Sequence, residues 1–409
     1  VPDDPTSASW LPHVPSPLDR RWARDIPATG AWRDGDPVGS RRFVPIGAER
    51  PFAMEFGGSL SDARLAYETW GELDDSASNA VLVCHALTGD AHAAGPMGPA
   101  HPTPGWWDDL IGPGRPLDTD RLFVVCANVL GGCQGSTGPS SPDPATGRPY
   151  GSRFPMVSIR DMVRAQAALA DHLGIDRWHS VIGGSMGGMQ VLEWAVMFPQ
   201  RVGSFVAIAT TPAASAWQVA WSAVGRTALA LDPRWRGGDY YDAEPGDGPH
   251  AGLAIARAVA QITYRSDEVF EDRFGRELVD PIDAFELWSR FQVEGYLDHH
   301  GQKLARRFDA NSYLLLNRAM DLHDLGRGRG GIDLALRRVV APSLVLGITS
   351  DTLYHPHQQQ GLHAGLVAAG KDSTFGMIES PDGHDGFLLA FDQVAEHVTR
   401  FLTRIEKER

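Results

Sequence analysis

The stretch Val181-Ile182-Gly183-Gly184-Ser185-Met186-Gly187-Gly188-Met189 decides how the chain is read. An apolar run from Trp178 to Ile182 enters it, and an apolar helical pattern from Met189 to Phe198 leaves it. The order is strand, sharp turn, helix. A G-x-S-x-G turn holds its serine in a cramped backbone conformation, and glycines two residues to either side let strand and helix approach without side-chain clashes. The hydroxyl of Ser185 then points out at the carboxyl edge of a sheet. The N–H of Met186 sits at a helix N-terminus, where it can stabilise an oxyanion, and Gly188 lets the first helical turn pack closely. G-x-S-x-G alone also fits a glycine-rich loop with a solvated serine. The strand before it and the helix after it favour a nucleophile.

Towards the N-terminus, the apolar run Ala80 to Cys84 lacks alternation, as in a buried parallel strand, and ends at His85-Ala86-Leu87-Thr88-Gly89. In an α/β-hydrolase-like sheet the turn after this strand supplies the second oxyanion N–H, with Leu87 as its donor. His85 reads as a packed, hydrogen-bonded turn histidine. Further strands are predicted at Leu122 to Cys126 and, in an antiparallel hairpin, at Phe52 to Phe56 and Ala63 to Thr69. The small-residue loop Asn128 to Pro139 is a candidate wall of the active site, since long ordered loops tend to be functional. It lacks the Gly-Lys-Ser/Thr ending of a phosphate-binding loop. A helix over Ile159 to Leu173 precedes the elbow strand. Residues 1–45, rich in Pro, Arg, Asp and Trp without periodicity, predict an extended arm.

Towards the C-terminus, one more strand, Gly203 to Ala209, follows, and then the alternation stops. Helical patterns at Ala216 to Ala230, Ala251 to Tyr264, Ala284 to Leu297 and Asn311 to Leu325, without a clear strand, predict a helical lid over 212–330. It interrupts a core of 46–211 and 331–409. The core resumes with strand Leu344 to Ile348, helix His357 to Ala369, strand Thr374 to Ile378 and helix Phe391 to Ile405. The first of these strands ends at Asp351 and the second is followed by His384. Ser185, Asp351, His384 is the chain order of an α/β-hydrolase triad, and the fold class predicted is an α/β-hydrolase fold with an inserted helical lid. His384 would take the serine proton while Asp351 fixes the imidazole tautomer. Asp382 and Asp385 lie too close to His384 in sequence to be easily placed behind its ring.

Composition excludes several classes. A net charge of −14 over 409 residues argues against nucleic acid or an anionic membrane as the main partner. Cys84, Cys126 and Cys133 are too few for a disulfide framework and suggest a reducing compartment. No signal-peptide pattern or long apolar run is present, which predicts a cytoplasmic protein. No C-x-x-C or His-rich spacing marks a metal site.

Taken together, His85-Ala86-Leu87-Thr88-Gly89, Asn128-Val129-Leu130-Gly131-Gly132-Cys133, Gly135-Ser136-Thr137-Gly138-Pro139, Gly184-Ser185-Met186-Gly187-Gly188-Met189, Arg307-Phe308-Asp309-Ala310-Asn311-Ser312-Tyr313 and Gly383-His384-Asp385 resemble the homoserine O-acetyltransferases, α/β-hydrolase-fold enzymes of methionine biosynthesis. The resemblance runs from about residue 45 to 403. It implies a ping-pong reaction: acetyl-CoA, a co-substrate and not a permanently bound cofactor, acylates Ser185, CoA leaves, and the hydroxyl of L-homoserine takes the acetyl group. It also implies a homodimer built through the lid. Gly252 to Arg257 and Ile262 to Arg265 match the family's substrate segment, so that Arg257 grips the homoserine carboxylate, Tyr264 helps, and Asp385 partners the ammonium. On helix periodicity alone, Arg257 is a solvated arginine. Relatives that use succinyl-CoA resemble a subgroup with arginine two positions after the catalytic Asp; Leu353 stands there, which favours acetyl-CoA. His355 and His357 depart from the family's usual basic or apolar residues at those positions. Two other classes stay open: a serine hydrolase with water as acceptor, and a catalytically dead hydrolase used as a binding module.

Overall fold

The computed structural model describes residues 21–47, 50–279 and 288–408. Its frame is an eight-stranded sheet of β1 (Arg42–Ile46), β2 (Ala63–Trp70), β3 (Ala80–Cys84), β4 (Phe123–Ala127), β5 (Ser180–Gly184), β6 (Phe205–Ile208), β7 (Ser343–Ile348) and β8 (Ser373–Ile378), in spatial order β1-β2-β4-β3-β5-β6-β7-β8. β1, β2 and β4 pair antiparallel, and from β4 onward every pairing is parallel. Strands β3 to β7 are buried along their whole length. That is why their sequences are continuous apolar runs: helices cover both faces of a parallel sheet.

The helix after the elbow, Met186–Met197, is apolar except for Gln190 and Glu193 and is buried from Met186 through Val196, as a helix inside the core must be. The terminal helix Phe391–Glu408 buries only the stripe Val394, Val398, Phe401, Leu402 and Ile405. Helix Ile159–His172 starts at a capping box in which Ser158 and Asp161 satisfy each other's backbone N–H groups.

Between β6 and β7 lie the helices Ala216–Ala230, His250–Tyr264, Asp267–Phe274, Gln292–Ala305 and Ala310–Asp321. Small residues let them approach closely: a Cβ at Gly301 would sit 2.8 Å from the Ala254 carbonyl oxygen, and one at Gly252 would sit 2.9 Å from the Leu229 Cα. No helix among the described residues is long and apolar enough to cross a membrane.

The structure corrects the sequence reading at three places. Ala63–Trp70 does not pair with the segment at Phe52; it pairs with Arg42–Ile46, and Phe52–Ala53 makes a separate short hairpin with Ser59–Leu60. The first sheet strand thus straddles the expected boundary between arm and core, and residues 1–20 lie outside the described ones. In the lid, the helix expected from Ala284 begins at Gln292, residues 284–287 lying outside the described ones, and Asp267–Phe274 is an additional helix. The Asn128–Pro139 loop is buried and braces its neighbours. Thr137 and Ser136 accept from the backbone of β2, Trp32 of the arm donates to Cys133, and Gln134 donates to the Arg307 carbonyl.

Candidate active site

Ser185 sits between β5 and its helix at φ 57° and ψ −122°. This region is strained for a residue with a side chain, and it turns the hydroxyl out of the sheet edge. The flanking glycines are sterically required. A Cβ on Gly187 would lie 2.0 Å from the Cys84 carbonyl oxygen, and one on Gly183 would lie 2.7 Å from the Gly187 carbonyl carbon. Gly188 has Thr210 where its side chain would be, with the Thr210 Cβ at 2.5 Å.

The loops after β7 and β8 bring Asp351 and His384 to the same edge. His384 Nε2 is 2.9 Å from Ser185 Oγ, and its Nδ1 is 2.7 Å from Asp351 Oδ2. The other carboxylate oxygen, Oδ1, accepts from the N–H groups of Leu353 and Tyr354 at 2.9 and 2.8 Å. All three side chains are buried. With Nδ1–H facing a carboxylate, Nε2 is the ring's acceptor and is aimed at the serine. Asp382 is directed elsewhere, to Arg265 at 2.8 Å.

Leu87 follows β3, and Met186 opens the elbow helix. The Leu87 loop is braced from the lid by Arg307, whose Nη2 donates to the Thr88 carbonyl at 2.5 Å and whose Nη1 faces Asp90 at 3.7 Å. Burial lowers the Arg307 pKa, with Asp90 opposing. His85 is a structural residue behind this loop: its Nε2 accepts the Val129 N–H at 3.0 Å, and burial lowers its pKa.

The lid supplies the opposite wall. Tyr264 lies 5.8 Å, centroid to centroid, from the His384 ring, and the Arg257 guanidinium lies 5.0 Å over the Tyr264 ring. Asp385 faces Arg265 at 3.6 Å; burial raises its pKa, with Arg257 and Arg265 opposing. Arg257 and Tyr264 on one lid helix and Asp385, distant from them in sequence, therefore share one end of the site. Beside them runs a narrow cavity of about 40 Å³, lined among others by Leu87, Gln218, Tyr264, Tyr313, Leu353 and Tyr354.

Three features of the site escaped the sequence reading. Arg265 stands in the quoted lid segment, but its pairing with Asp382 and Asp385 needs the folded loop. Tyr354 packs flat on His384, centroids 4.9 Å apart and planes 23° apart. Glu68, His92 and His101 gather behind the Leu87 loop, all buried, with His92 Nδ1 2.9 Å and His101 Nε2 3.4 Å from the carboxylate. Burial works against a charge on His92, but the hydrogen bond to Glu68 and the negative charges of Glu68 and Asp90 together outweigh it and raise its pKa, whereas burial lowers that of His101. The two imidazoles stack with centroids 3.8 Å apart and planes 11° apart. An ion can lie in the plane of one ring but not of both, so this is a shared carboxylate more than a metal cradle.

Comparison with known proteins agrees with the architecture. The family model of the alpha/beta hydrolase fold matches residues 79–391. The chain is 55% identical over 379 residues to the homoserine O-acetyltransferase of Thermobifida fusca, covering 93% of this chain and 98% of that one. Among solved structures, the homoserine O-acetyltransferase of Bacillus anthracis superposes with a TM-score of 0.82 at 29% identity, covering 88% of this chain and 97% of that one. Esterase E22 superposes with 0.81 at 30% identity, covering 88% and 99%. A hydrogen-bonded serine, histidine and aspartate on an elbow, a helical lid over them, and this degree of identity along nearly the whole chain lead to one assignment: the chain belongs to the homoserine O-acetyltransferase family of the alpha/beta hydrolase fold.

Proposed function

We propose that the protein moves an acetyl group from acetyl-CoA to the hydroxyl of L-homoserine through an acyl-enzyme on Ser185, giving O-acetyl-L-homoserine for methionine biosynthesis. The observation that carries this reading is the Ser185–His384–Asp351 chain of short hydrogen bonds in a chain 55% identical to a homoserine O-acetyltransferase. Ser185 Oγ attacks the thioester carbonyl as His384 Nε2 takes its proton, and Asp351 stabilises the resulting imidazolium. The N–H groups of Leu87 and Met186 hold the oxyanion, and CoA leaves with the proton from His384. The homoserine hydroxyl then gives its proton to His384 and attacks the acyl carbon, and Ser185 is released.

At the lid end, Arg257 holds the acceptor carboxylate, with Tyr264 beneath it, and Asp385 holds the ammonium; a planar guanidinium suits a carboxylate and a carboxylate suits an amine. Acetyl is favoured over succinyl because Leu353 lines the cavity, and Arg226 on the lid is already paired, with Asp321 at 2.5 Å and Asn317 at 2.6 Å. Exposed Trp217, Val224, Leu231, Ile255 and Ile262 on two adjoining lid helices support a homodimer through the lid. The three buried free thiols suit a reducing cytoplasm.

A second reading, ester hydrolysis, is favoured by the likeness to esterase E22. Intact-mass measurement separates the two. Incubation with acetyl-CoA alone is expected to leave one acetyl group on Ser185, discharged promptly by L-homoserine. Discharge by water at the same rate would favour the hydrolase.

A further inference from the structure

Arg307 stands in the turn between the lid helices Gln292–Ala305 and Ala310–Asp321, and its guanidinium crosses to the core, where it donates to the Thr88 carbonyl at 2.5 Å. In the trans peptide unit Thr88–Gly89 the C=O and the N–H point in opposite directions, and the Gly89 N–H donates to the Ala86 carbonyl at 2.9 Å. That carbonyl shares its peptide unit with the Leu87 N–H, which therefore points away from it in turn. The guanidinium, the Gly89 N–H and the Leu87 N–H are thus arranged head to tail. The Ala86 carbonyl takes a second bond, from His85 Nδ1 at 2.7 Å; Nε2 accepts the Val129 N–H, so Nδ1 carries the ring's proton. Gln190 ties the turn to the elbow, its Nε2 donating to the carbonyls of His85 and Met186, both at 3.2 Å.

We propose that Arg307 is a positioning residue for the oxyanion hole, aiming and polarising the Leu87 N–H through the two peptide units between them. The proposal rests on the Ser185 acyl-enzyme reading, with Leu87 as an oxyanion donor, and deepens it. Hydrogen bonds in a chain polarise one another, and a cation at the head of the chain draws electron density from every N–H after it. The Leu87 N–H is thereby a stronger donor to the charge that develops on the thioester or ester oxygen, and the guanidinium does this without touching the reacting atoms. Asp90, 3.7 Å from Nη1, gives the guanidinium its counter-charge on the same loop.

The N-terminal segment seats the arginine. Gly30 packs so closely on it that a Cβ there would lie 2.6 Å from the Arg307 nitrogen and carbonyl carbon and 2.5 Å from the Phe308 nitrogen. The Gly30 N–H donates to the Phe308 carbonyl at 3.3 Å, and the Thr29 hydroxyl donates to Asp309 Oδ1 at 2.8 Å. Gln134 Nε2 is shared between the Gly30 and Arg307 carbonyls at 3.2 and 2.7 Å. The Arg307 backbone is held between arm and core, and the side chain reaches Thr88 from that fixed base. Both half-reactions pass through an oxyanion at the same place, so a misaimed Leu87 N–H slows both and leaves substrate binding as it was.

Two variants test this from opposite sides. Arg307→Met removes the guanidinium and keeps an unbranched stem; Gly30→Ala keeps the guanidinium and displaces the backbone that carries it. For each, kcat and both KM values are measured with acetyl-CoA and L-homoserine. The infrared difference spectrum is then recorded after incubation with acetyl-CoA isotope-labelled at the acetyl carbonyl, where weaker hydrogen bonding moves the acyl-enzyme band to higher frequency. Outright loss of an oxyanion donor costs about 10²- to 10³-fold in kcat, so a donor kept but misaimed in Arg307→Met is expected to cost about tenfold, with both KM values within about twofold and the band raised. Gly30→Ala is expected to move in the same direction by less, and Arg307→Lys, which returns a cation and a donor, to recover part of both changes. An unshifted band in Arg307→Met overturns the proposal whatever its kcat. So does a kcat within about twofold of the unaltered protein, or a rise confined to the KM of one substrate, which would make Arg307 a substrate contact. If Arg307→Met does not fold, Gly30→Ala decides alone: a raised band sustains the proposal and an unshifted one overturns it. The unaltered protein is the control. No acetyl band from it overturns the acyl-enzyme reading together with this proposal, whereas a band that the variants leave in place overturns this proposal alone.

Discussion

The two ends of the site are built differently. At the elbow, Ser185 is positioned by backbone sterics: the strained φ of one residue, glycines two positions to either side, and the Cys84 carbonyl 2.0 Å from where a Gly187 side chain would begin. At the lid end, Arg257, Tyr264, Arg265 and Asp385 come from two separate segments, and their relation depends on how the lid packs on the core. The packing is intimate there: a Cβ on Gly383 would lie 2.7 Å from the Arg265 carbonyl carbon, and Trp217 and Gln218 donate to the carbonyls of Thr352 and Leu353. Chemistry set by backbone sterics is held rigidly, whereas recognition set by juxtaposition can be retuned without touching the nucleophile. The shared core of transferases and an esterase among the solved structures fits that division.

The division can be broken or sharpened by substitution. The largest effect is expected from Ser185→Ala, which should lower CoA release by about 10⁴-fold or more while circular dichroism stays unchanged. Turnover near the unaltered rate would place the nucleophile elsewhere. Gly187→Ala forces a side chain into the Cys84 carbonyl and should cost more than about 3 kcal/mol, read as a lower urea midpoint. A neutral result would mean that the elbow is less constrained than its geometry implies.

At the lid end the losses should be confined to one substrate. Arg257→Ala should raise the KM for L-homoserine by about 10²-fold and leave acylation of Ser185 by acetyl-CoA intact. Loss of the acylation step would merge the two ends. The smallest effect concerns pH. The Asp385 pKa is raised by burial, so on acidification the carboxylate takes up a proton earlier than an exposed one and loses its hold on the ammonium. The KM for homoserine should therefore rise as the pH falls towards that raised pKa, and Asp385→Asn should have a high KM that no longer changes with pH.

Legibility in the sequence follows the same line. Continuous apolar runs such as Ala80–Cys84 and Ser343–Ile348 mark buried parallel strands, and the elbow, acid and histidine loops follow from strand ends, so the core and the three residues at its edge could be placed from residues alone. The edge of the sheet could not. Phe52 and Ala63 are near neighbours in sequence, but the partner of Ala63–Trp70 is Arg42–Ile46, inside a segment whose prolines and arginines hide its pairing. Asp267–Phe274 escaped because it is short and buries none of its residues, its start marked only by the Ser266 cap. The roles proposed for Arg257 and Asp385 rest on family resemblance, since nothing in helix periodicity distinguishes a ligand arginine from a solvated one. Tyr354, Glu68, His92 and His101 left no spacing signal at all: Tyr354 meets His384 only when the loops after β7 and β8 come together, and His92 and His101 meet Glu68 only when the segment after β3 folds onto β2.

The most direct test of the central claim is CoA release measured with acetyl-CoA and with succinyl-CoA, each in the presence of L-homoserine, L-serine or no acceptor. The account predicts rapid release from acetyl-CoA only when L-homoserine is present. Equal release with and without acceptor, or release only from succinyl-CoA, would contradict it.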